Sequence, residues 1–220
     1  MYRYVIVVVV VLVAGCSAKR SPDLGYEFQK EMVREAVTVV TGTHPSFQVF
    51  DELLNATVDH TISGNGHIPC DRHDGSLFLI EGGEFKDTVK CSWGREIVCT
   101  KGDDDKIDVG WGNDVVIAGT GNDTIEGSWG DEIIYGGPGN DVIDESWGRV
   151  ILLYGKNWGN DIVDVHCDAP AVLVFSKDIK EKDLVWNEGK VLYDTAHGST
   201  IQFDGSINCL KMIFSDIDIP

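Results

Sequence analysis

Residues 82–164 repeat a nine-residue unit, and a repeat this short restricts the chain to a stack of small turns, each touching only its neighbours. The clearest copies are Ala118-Gly-Thr-Gly-Asn-Asp-Thr-Ile-Glu126 and Gly136-Gly-Pro-Gly-Asn-Asp-Val-Ile-Asp144. Numbered 1 to 9, the unit reads G-G-x-G-x-D-x-U-x, with U a large aliphatic residue. Position 8 is Val89, Val98, Ile107, Val116, Ile125, Ile134, Ile143 and Leu152. Position 6 is Asp87, Glu96, Asp105, Asp114, Asp123, Glu132 and Asp141, and then Val150. After a two-residue insertion, Trp158-Gly-Asn-Asp-Ile-Val163 resumes the pattern.

Positions 7 to 9 are short and β-prone with position 8 apolar, so each unit is expected to give one brief strand with one inward side chain. The glycine-rich remainder is expected to form a tight turn, because glycine reaches positive φ without steric cost. Two units then make a coil of eighteen residues, and the coils stack into a parallel β-roll. Position-6 acids of successive coils lie about 4.8 Å apart. Like charges that close repel by about 1 kcal/mol in water and about 3–4 kcal/mol near a protein surface. A cation between them turns that repulsion into a site, and a hard ion that takes carboxylates and carbonyls together is Ca²⁺.

The repeat over Gly82 to Asp164 resembles that of the RTX (repeats-in-toxin) family of calcium-binding proteins. The resemblance implies an all-β parallel β-roll, a β-solenoid, with ions held between stacked turns by position-6 carboxylates and turn carbonyls. Carried to this chain, it implies an edge of Asp105, Asp123 and Asp141, assisted by carbonyls of Gly102, Gly119, Gly121, Gly137 and Gly139. The other edge carries Asp114 and Glu132 beside Glu96, and there glutamate is one methylene longer than the motif's aspartate.

Trp93, Trp111, Trp129 and Trp147 all fall at position 3 and recur with the same eighteen-residue period. A stacked ladder along one edge is expected. It would either stiffen the roll through aromatic contacts or present a flat face to a sugar or cell-surface ligand.

The roll is expected over 77–165, with a β-rich cap of hairpins over 166–220. Residues 25–76 read as a helical N-terminal cap and loop. Phe28, Met32, Ala36 and Val40 give one apolar helical face, and Phe47 to Val58 a second short helix. These helices would cover an exposed end of the stack or pack along it. His67, Cys70 and His73 have zinc-ligand chemistry, but their glycine-rich surroundings point to a surface loop. Leu77 to Ile80 reads as the first strand of the roll.

Residues 1–16 combine Arg3 with an apolar run too short to span a bilayer comfortably. The run ends in Val13-Ala-Gly-Cys16, which resembles a bacterial lipoprotein signal peptide. That resemblance implies a lipidated Cys16, a membrane anchor, a tether over 17–24, and an outer-membrane or otherwise secreted location. Five cysteines then remain, and export favours disulfides. Cys167–Cys209 is one candidate pair, two of the other three could tie the loop to the first coils, and an odd count leaves at least one thiol free or paired between molecules.

A net charge of −18 argues against nucleic acid as a partner. The chain has neither H-E-x-x-H nor G-x-S-x-G, and residues 17–81 are too few for a catalytic domain beside the roll, so no enzyme is expected.

Overall fold

The computed structural model describes residues 26–43, 58–70 and 75–219. The expected signal peptide with Cys16, the tether, His73 and most of the second helix lie outside them.

The chain winds into a parallel β-roll of about six turns. Its first wall is built from β1 (His60–Ser63), β3 (Leu77–Glu81), β5 (Trp93–Gly102), and the later halves of β6 (Lys106–Thr120) and β7 (Thr124–Tyr135). It continues through β9 (Trp147–Tyr154), β11 (Ala171–Phe175) and β15 (Leu210–Phe214). The second wall runs β2 (His67–Cys70), β4 (Thr88–Cys91), the early halves of β6 and β7, β8 (Val142–Glu145), β10 (Asn160–Val165) and β14 (Thr200–Phe203). All these pairings are parallel. The register places Ile107 on Ile125 on Ile143 in the second wall, and Val98 on Val116 and Ile134 on Leu152 in the first. These position-8 side chains are 0–3% exposed and form the core between the walls. Truncating one, such as Ile134, to alanine would open a cavity at a cost of about 2–5 kcal/mol.

The walls differ on their outer faces. The second alternates cleanly, with Lys106 and Asp108 outside and Ile107 inside, as a half-solvated sheet should. The first is apolar on both faces. Ile97, Val115, Ile133 and Ile151 point outward yet are buried in a second cluster with Met32, Val33, Ala36, Val37 and Val40 of α1 (Tyr26–Thr43). Ile217 and Ile219 join the same cover. The expectation of one apolar residue per strand therefore holds for the second wall only. Continuous runs such as Ile133-Ile-Tyr135 mark a strand covered on both sides. The described apolar side chains of α1 pack on the outer face of the first wall, so this part of the helix seals the flank of the roll.

The roll is also longer than its repeat. It begins at β1 and β2 rather than at Leu77, so His60 to Cys70, expected as a loop, form a coil with Ile62 and Ile68 facing inward. Their polar neighbours conceal the strands, and stacking on β3 and β4 supplies what the local sequence lacks. It also passes Val165, because β11, β14 and β15 add further rungs in register. Beyond them, β12 (Leu184–Asn187) and β13 (Val191–Asp194) add antiparallel strands to β14, and Ile179, Leu184 and Leu192 pack on the core at this end.

Two disulfides join pairs of described residues, Cys70–Cys91 (Cα–Cα 4.6 Å) and Cys167–Cys209 (5.1 Å), and Cys99 is disulfide-bonded as well. Cys70 therefore has no thiolate for zinc. Among the described residues no cysteine is free.

Candidate metal centre

The first edge joins the first wall to the second. Asp87, Asp105, Asp123, Asp141 and Asp161 form a column there. The backbone N–H of each donates to Oδ1 of the next: Asp87 to Asp105 at 2.7 Å, Asp105 to Asp123 at 2.8 Å, and Asp123 to Asp141 and Asp141 to Asp161 at 2.9 Å. The last step spans twenty residues, so the two-residue insertion bulges out and Asp161 regains the column. Oδ2 of Asp105, Asp123 and Asp141 is buried with no hydrogen-bond partner. Burial pushes these three carboxyls up to about 7, against hydrogen bonds that pull the other way, and pushes Asp161 up to about 8. A buried acceptor without a donor is costly, and an ionised one much more so. One oxygen of each aspartate thus holds the next coil, and the other points at nothing the protein supplies.

Beside this column runs a second, of opposite direction. Asn122 N–H donates to Oδ1 of Asp104, Asn140 N–H to Oδ1 of Asn122, and Asn160 N–H to Oδ1 of Asn140, at 2.7–3.0 Å. It fixes the turn on the solvent side of the aspartates.

Turn carbonyls complete the surroundings. A Cβ placed on Gly137 would lie 1.8 Å from the Gly119 carbonyl oxygen, and one on Gly139 1.5 Å from that of Gly121. Only glycine lets these carbonyls run so close along the stack. In the preceding coil the equivalent carbonyls are those of Lys101 and Asp103, which face Gly119 and Gly121. Both residues adopt the glycine-like backbone, with φ of 79° and 74°. Gly102, expected as a carbonyl donor, instead lies in register with Thr120. The carbonyls of Gly119, Gly121 and Gly139 lie close against Gly137, Gly139 and Gly159 of the following coil.

The second edge carries Glu96, Asp114 and Glu132, each fully buried, and Glu96 N–H donates to Oδ1 of Asp114 at 2.7 Å. Burial and mutual repulsion raise the Asp114 and Glu132 pKa values well above the carboxylate range. Sequence reasoning placed Glu96 on this edge but left Asp87, Asp161 and Glu145 out of the site. The first two stand in the position-6 register and were findable there. Glu145 carries no repeat signal.

Outside the second edge the four tryptophans stack as expected, with centroids 4.7, 5.2 and 5.6 Å apart, and His166 continues the row at 6.2 Å from Trp147. They are 44–56% exposed. Because interplanar angles are only 13–30°, the rings face one another and present their edges to solvent.

Among the described residues no three His, Cys, Asp or Glu side chains converge into a ready-made metal centre. The fit is to sites of paired carboxylates completed by carbonyl oxygen, the donor set of a hard cation with flexible coordination. The fold and its turns define a cation-binding solenoid. Residues 108–143 match the family model of the RTX calcium-binding nonapeptide repeat, in four copies. Over those residues the chain carries RTX-type repeats, a class of repeat that binds Ca²⁺. No curated protein and no solved structure matches it.

Proposed function

We propose that this chain is an exported, lipid-anchored envelope protein whose roll is locked into shape by Ca²⁺ outside the cytoplasm. The observation that carries the reading is the row of buried, unpartnered Oδ2 atoms on Asp105, Asp123 and Asp141. Inside a cell, where calcium is scarce, these carboxylates repel one another. At extracellular calcium, ions bridge the coils, and each site at a hundred times its Kd adds about 2.7 kcal/mol to stability. Folding is thereby deferred until export. The Val13-Ala-Gly-Cys16 sequence supports membrane attachment through Cys16, with a soluble secreted form as the alternative. The function needs no catalytic centre. Circular dichroism of the full chain, titrated with Ca²⁺ after chelation and with Mg²⁺ as control, tests it. A gain of β signal with calcium alone is expected, and a chelated chain already fully folded would overturn the mechanism.

A second reading, an adhesin or carbohydrate-binding module, is favoured by the exposed tryptophan row. Ring faces are occupied by neighbouring indoles, so a glycan would not stack on an open face. It would lie along the row of Arg95, Asn113, Asp131 and Arg149 that flanks the indole edges, two residues on from each tryptophan. Loss of glycan or cell-surface binding in Trp111→Ala and Trp129→Ala, with the roll intact, is the result expected of this reading. Unchanged binding would remove it.

A further inference from the structure

Val150 ends the acidic column of the second edge. The register sets Asp114 on Glu132 and Glu132 on Val150, so the last pair of coils lacks its second carboxylate. Glu145 lies just before this coil, at the end of β8, at a position where the repeat calls for no acid. Its side chain does not turn to solvent. It is 3% exposed, and its carboxylate occupies the space beside Gly127, where an added Cβ would lie 1.8 Å from Oε1 and 2.5 Å from Oε2. There it faces Glu132, and Asp114 also feels its charge.

We propose that Glu145 is a further cation ligand of the second edge, its carboxylate standing in for the one that Val150 lacks. It rests on the reading that the turns hold Ca²⁺. Both oxygens of Glu96, Glu132 and Glu145, and Oδ2 of Asp114, are buried without a hydrogen-bond partner. They fall into two neighbouring pairs, Glu96 with Asp114 and Glu132 with Glu145. Carbonyl oxygens run along the same column: that of Gly112 lies 1.5 Å from a Cβ built on Gly130, and that of Gly130 1.5 Å from one on Gly148. A shared proton would satisfy at most one acceptor of each pair and leave the others orphaned. A hard cation takes several carboxylate and carbonyl oxygens at once. The long reach of glutamate suits Ca²⁺, which tolerates varied geometry, better than Mg²⁺, which demands an octahedron.

The test counts ions in the full chain by native mass spectrometry, in wild type, Glu145→Gln, Gly127→Ala and Asp123→Asn. Trp-sensitised emission from substituted Tb³⁺ is read in parallel, because the tryptophan row flanks this edge. Glu145→Gln is expected to lose one ion and most of that emission. Gly127→Ala keeps the charge but crowds the carboxylate out, so it is expected to lose the same ion. Val150→Asp added to Glu145→Gln is expected to restore it. Asp123→Asn is expected to lower the count with emission largely kept. If Asp123→Asn loses an ion while Glu145→Gln and Gly127→Ala keep the wild-type count and emission, the second edge holds protons and the proposal falls alone. If the wild type binds no ion, the calcium reading falls with it.

Discussion

Asp105 and Asp123 are joined by a 2.8 Å bond from the backbone N–H of the first to Oδ1 of the second, eighteen residues on, while Oδ2 of Asp123 stays buried and unpartnered. The same carboxylate therefore staples two coils and faces an ion. The two tasks are separable. Asp123→Asn keeps an oxygen for the Asp105 amide and loses the negative charge. It should fold with excess calcium and bind the ion at least ~10–100-fold more weakly, since even outer-shell changes at metal sites cost that much. Calorimetric titration reads the difference.

Without calcium, pH should act in an unusual direction. Burial holds the carboxyls of Asp105, Asp123 and Asp141 at about 7 in the folded chain, against an ordinary 3.8. The folded state then binds protons more tightly than the unfolded state. Its contribution is complete below the ordinary value and is lost as pH rises through about 7. Thermal melts in chelator should fall from about pH 4 to about pH 8. With saturating calcium the trend should reverse, because the ion must displace those protons.

Lys101 and Asp103 hold left-handed backbone where neighbouring coils use glycine, at φ of 79° and 74°. That conformation costs a side-chain-bearing residue about 1–2 kcal/mol. Lys101→Gly and Asp103→Gly should each stabilise the roll by about 0.5–1 kcal/mol, after the greater freedom of glycine in the unfolded chain is subtracted. A rise in Tm of about 2–4 °C per kcal/mol would register it.

The reverse exchange should be severe where carbonyls approach. In Gly139→Ala the new methyl would meet the Gly121 carbonyl oxygen at 1.5 Å, and a loss of about 3 kcal/mol or more is expected from backbone displacement. Gly198 has a φ of 80°, but a Cβ there meets nothing within 4 Å, so Gly198→Ala should cost only about 1 kcal/mol. Chemical denaturation of the two variants separates crowding from backbone preference.

Trp111 stacks on both Trp93 and Trp129. Its replacement by alanine breaks two contacts worth about 0.5–1.5 kcal/mol each, for a total of about 1–3 kcal/mol. The near-ultraviolet dichroism of the stacked indoles should fall with it. An unchanged Tm would mean that the ladder does not stiffen the roll.

The repeat made the coil legible because stacking sets residue i on residue i+18, so any chemistry with that period becomes a column. Asp105, Asp123, Asp141 and the tryptophans were readable on that ground. Asp161 keeps its place in that column although Lys156 and Asn157 shift it two places along the sequence. Glu145 was invisible, since no other coil carries an acid at its position in the repeat. The flank position of α1 left a trace in the outward Ile97, Val115, Ile133 and Ile151, which no half-solvated sheet would carry. The first coil left almost none, because Thr61-Ile-Ser63 becomes a strand only when β3 lies beside it.

A stack of near-identical coils has no intrinsic way to count. A slip by eighteen residues would lay aspartate on aspartate and tryptophan on tryptophan again, with most contacts kept. The Cys70–Cys91 and Cys167–Cys209 cross-links stand toward either end of the stack and recur in no other coil. Together they number the rungs: with both ends pinned to unique partners, the turns between them have one alignment in which every carboxylate finds its own neighbour.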